Sequence, residues 1–155
     1  MGVHILTAPH TSTDHRNGIF LAGGITDCPD WQADIIARLN TRLDGWTLYN
    51  PRRPLFPIHD PAAARAQIEW EFTWLRRAEM ILFWFPCETL CPIVLYELGA
   101  WSMTAKPIFV GCHSEYRRAQ DVVIQTKLQR PDVEVVDNLF DLVEQVVGAA
   151  KKKSL

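Results

Sequence analysis

Long hydrophobic runs are missing from this chain. The apolar run Met80–Phe85 is far too short for the roughly 20 residues a spanning helix needs, so no membrane partner is expected. No secretory leader pattern opens the chain, and a cytoplasmic protein is expected. Charge of one sign is also scarce: the net charge of -2 on 155 residues argues against a surface built for polymeric nucleic acid. The single like-charge run, Lys151 to Lys153, reads as a solvated tail over 151–155. Cysteine is sparse and irregular. Cys28, Cys87, Cys91 and Cys112 show no repeated spacing, and a chain of this size buries enough surface to fold without staples. Cys87-x3-Cys91 has ligand-like spacing and Cys112-His113 ends a later strand, but no second tight pair of ligands follows, so no metal and no cofactor are expected. Both glycine fingerprints of nucleotide folds, G-x-G-x-x-G and G-x-x-x-x-G-K-[ST], are absent.

Strands alternate with helices along the chain. Residues 1–18 mix three histidines with Thr, Ser, Pro and Asn without periodicity and are expected to form a loose arm. A first strand, Ile19 to Gly24, ends in two glycines, and Asp30 caps a helix running to about Leu43. Trp46 to Tyr49 is a second strand, followed by the proline-rich loop Asn50 to Pro61. A helix from Ala62 to Ala78 precedes Met80 to Phe85, which is apolar on both faces as a central parallel strand must be. Pro86 to Cys91 is the loop at its carboxyl end, and Pro92 opens a helix to about Ala105. Ile108 to Gly111, a helix over Asp121 to Leu128, a fifth strand Val133 to Val136, and a helix capped by Asn138 and ending near Ala149 complete the pattern. One α/β domain over 19–150 follows. It is a flavodoxin-like three-layer sandwich, with a five-stranded parallel sheet in the order 2-1-3-4-5 and helices on both faces.

Two acids break this pattern. Ile68, Phe72 and Leu75 form an apolar stripe at i, i+4 and i+7, and Glu71 fills its i+3 place; Val94, Leu98 and Trp101 repeat the stripe around Glu97. A carboxyl in an apolar stripe must be neutralised, partnered or used. Glu69 faces the side with Arg65, Thr73 and Arg76, where an arginine one turn away can partner it in solvent. Arg52 and Arg53 leave the end of the second strand, where open α/β folds bind ligands, and read either as a phosphate or carboxylate clamp or as solvated loop charges.

The segments F-L-A-G-G-I, Y-N-P-R-R, Q-I-E-W-E, A-E-M-I-L-F-W-F-P, P-I-V-L-Y-E-L-G-A-W and K-P-I-F-V-G occur in the order and spacing of the nucleoside 2-deoxyribosyltransferase superfamily, and the chain resembles its small deoxyribosyltransferase-like branch over roughly Ile19 to Leu142. The resemblance implies a flavodoxin-like fold, a homodimer or higher homo-oligomer, and cleavage of the N-glycosidic bond of a nucleoside or nucleotide. By the E-L-G segment it implies Glu97 as nucleophile, and by spacing back from the central strand it implies Glu71 as the acid that protonates the departing base. It brings Gly23 and Gly24 against the substrate. Where characterised members carry an aspartate shortly before the nucleophile, this chain has Cys91, with Glu88 and Thr89 nearby.

A 5′-phosphate calls for cations or donors, and Arg52, Arg53, Arg117 and Arg118 all follow strand ends, with Asn50 beside the first pair. Pairing with surface acids such as Asp121 is the alternative. Tyr116 is a candidate to reach a neighbouring subunit's site or to pack on a helix; Trp101 is a candidate to stack on a base, and Trp84 belongs in the core.

Overall fold

The computed structural model describes residues 1–14 and 17–155; the part of the expected arm at 15–16 lies outside the described residues. The elements run β1 His4–Thr7, β2 Gly18–Gly23, α1 Trp31–Asn40, β3 Thr47–Asn50, α2 Pro61–Arg77, β4 Met80–Phe85, α3 Pro92–Ser102, β5 Ile108–Cys112, α4 Ala119–Gln129 and α5 Leu139–Lys153. The five strands form one sheet in the order β1-β3-β2-β4-β5, and every neighbouring pair is parallel. Helices cover both faces, which makes this a flavodoxin-like α/β fold.

Alternation along the two central strands sorts the core into two layers. Phe20, Ala22, Ile81, Phe83 and Phe85 face α2, α3 and α4 through Trp70, Trp74, Leu98 and Val122. Ile19, Leu21, Leu82 and Trp84 face α1 and α5 through Trp31, Ile35, Leu142 and Val146. The helix starts follow capping chemistry: Asp30 accepts from Ala33 N, Asp60 from Ala62 N and Asn138 from Asp141 N. Because α2 and α3 precede and follow β4 on the same face, Glu71 and Glu97 come to one side of the sheet.

Three expectations are corrected. The arm is not loose throughout, since His4–Thr7 pairs with Thr47–Asn50 as an edge strand, and Trp70 Nε1 on α2 donates to His10 O at 2.7 Å. The fifth strand at 133–136 shrinks to a single bridge between Gly111 and Val136, so the order 2-1-3-4 of the first four expected strands stands, while the added strand lies on the opposite edge. The 151–155 tail is mostly the end of α5, whose lysines close its last turn, where cations meet the negative end of the helix dipole; Lys153 pairs with Glu79.

Candidate active site

A cavity of about 810 Å³ opens between α2, α3, the carboxyl end of β2 and the loop that follows β4. Glu71 reaches it from α2 and Glu97 from α3; Gly23, Gly24, Thr89 and Cys91 line the end nearest the strands. Both glycines are there because the chain is crowded. A Cβ on Gly23 would stand 2.2 Å from Trp31 Cζ2 and 2.5 Å from the Trp84 carbonyl oxygen, and one on Gly24 would stand 2.9 Å from Cys91 Sγ. The loop over 86–91 therefore lies directly on the end of β2.

Burial raises both carboxyls well above the ordinary range. Glu71 is pushed up to about 7 by burial, offset in part by a hydrogen bond from Gln67. Glu97 is pushed up to about 8 by burial first and by the charge of Glu71 second. The two acids are thus electrostatic neighbours, and near neutral pH the pair holds about one proton. Gln67 is itself anchored, its Nε2 donating to Pro51 O at 2.8 Å.

The stripes that flagged these acids have a different meaning from the one expected. Leu75, Val94 and Leu98 are core residues, but Ile68 and Phe72 are 68% and 56% exposed and form cavity wall. Trp70 and Trp74, beside Glu71 in sequence, are the buried pair. Trp101 lines the cavity, whereas Trp84 is buried in the core. Glu69 pairs with Arg65 at 2.8 Å.

The remaining expected contacts divide. Cys91 lines the cavity in a left-handed conformation (φ 53°), its thiol bonded to Thr89 O at 3.5 Å and pushed up to about 12 by burial. It supplies no carboxylate. Arg52 does not line the cavity. Its guanidinium donates to Ile25 O, Cys28 O and Pro29 O at 2.8 Å each and to Gln32 Oε1 at 2.9 Å, so both terminal nitrogens are engaged within the protein. Arg52 shapes the site at one remove, because Ile25 and Thr26 of the segment it grips are cavity wall. Asn50 accepts from Arg52 N at 3.0 Å, Arg53 lies over the Phe56 ring, and Glu88 accepts from Cys87 Sγ; none of the three borders the cavity. Tyr116 is 3% exposed and donates to Leu90 O at 2.5 Å, so it braces the 86–91 loop from behind and does not reach toward a neighbour. Arg117 is exposed away from the cavity, and Arg118 pairs with Asp121 at 2.9 Å.

One site residue escaped the sequence reading. Arg76 lines the cavity at the end far from the glycines, its guanidinium 3.5 Å above the Phe72 ring and 5.7 Å from the Trp101 ring. Its i+4 spacing from Phe72 was the available signal; its spacing from Glu69 suggested a different partner.

No curated protein matches the chain. A family model described as nucleoside 2-deoxyribosyltransferase like matches residues 16–116, about two-thirds of the sequence, and that span holds the cavity's glycines, both acids and Cys91. The chain belongs to the nucleoside 2-deoxyribosyltransferase-like family.

Proposed function

We propose that this protein cleaves the N-glycosidic bond of a nucleoside or nucleoside 5′-monophosphate and passes the (deoxy)ribosyl group to another base or to water. The observation that carries the reading is the pair of half-buried carboxyls, with pKa values near 7 and 8, on one cavity of a family of this chemistry. Cleavage with retention needs one carboxylate ionised against C1′ and one acid protonated beside the leaving group. Glu97 attacks C1′ and forms a glycosyl ester as the C1′–N bond breaks, and Glu71 gives its proton to the departing base. An acceptor base or water then attacks C1′, Glu71 takes the acceptor's proton, and Glu97 leaves as carboxylate. In the free site burial holds both carboxyls toward the protonated form. Positive charge growing at C1′ favours ionised Glu97, and the basic nitrogen of the leaving group favours protonated Glu71, so substrate sets which of the two carries the proton.

Arg76 supports an anionic group on the substrate, since it is the one cation among the described cavity residues. The four cysteines are free, which suits a reducing, cytoplasmic setting, and among the described residues no helix is long and apolar enough to cross a membrane. Exposed Ile68, Phe72, Ile93 and Tyr96 around the cavity favour a homo-oligomer in which a second copy covers this face.

A second reading, a nucleotide-binding protein without chemistry, is favoured by Cys91, an un-ionised thiol at the position of the family's aspartate. Chromatography of nucleosides and 5′-monophosphates, ribo and deoxy, incubated with and without a second base, separates the two. Release or exchange of base that Glu97→Gln abolishes supports the enzyme; a ligand bound and recovered whole supports the binder.

A further inference from the structure

Cys87 follows β4 and His113 follows β5, and the parallel register Phe85↔Cys112 sets the loops beyond them side by side. Main-chain and side-chain bonds hold those loops together: His113 N donates to Phe85 O at 2.9 Å and Tyr116 Oη to Leu90 O at 2.5 Å. Where they meet, Cys87 Sγ, a ring nitrogen of His113 and a carboxylate oxygen of Glu115 all lie within 4.8 Å of one another. Glu88 adds a second carboxylate, its Oε1 3.4 Å from the same sulfur. Among the described residues no lysine or arginine forms an ion pair with Glu88 or Glu115. A thiol, an imidazole and two acids converge without a counter-charge, an arrangement that a bound cation stabilises.

We propose that Cys87, His113 and Glu115 bind a divalent cation of the zinc class. Sulfur, nitrogen and oxygen donors together suit borderline zinc, whereas magnesium and calcium take oxygen sets. Three protein ligands leave a fourth position, for water or for Glu88. The pairing differs from the one the cysteine spacing suggests: Cys91 is buried with its sulfur on Thr89 O, and Cys112 is buried with its sulfur on His113 O, so neither is a ligand. His113 Nδ1 accepts from Glu115 N at 3.1 Å. Coordination through that nitrogen exchanges the bond for the metal and frees one N–H on an exposed residue, which water satisfies. None of the three ligands borders the cavity, so the cation acts as a staple between the 113–116 turn and the 86–91 loop that carries Thr89 and Cys91.

The test is titration of metal-stripped full-length protein with cobalt(II), read by absorption. The expected result is a near-ultraviolet thiolate-to-cobalt band that saturates at one ion per chain and is erased by zinc. Cys87→Ser removes the band, Glu115→Gln weakens cobalt binding at least about tenfold, and Cys28→Ser leaves both unchanged. Glu115 is exposed, so its variant reports even if Cys87→Ser folds poorly. Absence of the band, or its survival in Cys87→Ser, overturns the proposal.

Discussion

A nucleophilic glutamate must be ionised when it meets C1′, while the acid beside it must still hold its proton. With pKa values near 7 and 8 on Glu71 and Glu97, both are protonated in acid and both are charged in base, so turnover peaks between the two and falls on either side. A pH profile of kcat/KM checks this; a flat profile would sink the two-carboxyl mechanism. Glu71→Gln should cost about 10²- to 10⁴-fold on bases that need a proton to leave and much less on an activated leaving group. Retained turnover in Glu97→Gln would refute its proposed role as nucleophile. Both acids were legible in the sequence because a carboxyl at the i+3 place of an apolar stripe conflicts with its neighbours. Arg52 and Tyr116 were not, since composition shows that a donor exists but not where it goes. Four protein acceptors take the Arg52 guanidinium, and the Leu90 carbonyl takes the Tyr116 hydroxyl.

At the scale of elements, the loop between β2 and α1 is shaped by the segment after β3. Arg52 fastens three carbonyls of that loop and the first turn of α1, while Trp31 Nε1 donates to Gly24 O at 2.8 Å. Removing the guanidinium leaves partly buried acceptors without their donor, at a cost of about 1 kcal/mol. Arg52→Ala should therefore raise KM and lower stability together, and Arg52→Lys should recover little, since a point charge cannot reach this set of carbonyls as a planar fork does. Unchanged KM in both variants would show that the loop holds its shape without Arg52. The helix α2 teaches a related lesson. Its 3.6-residue stripe was readable, but periodicity marks only an apolar face, and here that face is divided between core at Leu75 and cavity wall at Ile68 and Phe72. β1 was missed for a different reason. Four residues at a sheet edge, His4–Thr7, need only main-chain bonds to Thr47–Asn50 and leave little pattern behind.

For the whole molecule, the fully apolar strands β2 and β4 could be ordered from sequence because only central parallel strands are buried on both faces, whereas Val136 contributes a single bridge that no pattern distinguishes from a strand. The exposed apolar rim carries a prediction of its own: light scattering should give a mass of two or more chains, and Ile93→Asp should reduce it, while a monomeric wild type would sink the shared-face proposal. The pair of cavity carboxyls also taxes the stability of the entire chain. Both carboxyls bind protons more tightly folded than unfolded, where their ordinary value is 4.5. Between about pH 4.5 and about pH 8 the unfolded state therefore holds fewer protons than the native one, and stability falls as pH rises. Below that window both states are protonated and the penalty vanishes; above it the penalty is complete. Because water reaches the cavity, the loss is on the order of 1–3 kcal/mol, less than the full shifts imply. Replacing both acids by glutamine removes the titration. Denaturant unfolding on the acid and alkaline sides of this window should show the double variant gaining on the wild type as pH rises, and parallel pH slopes would mean that the two carboxyls are solvated in the folded protein.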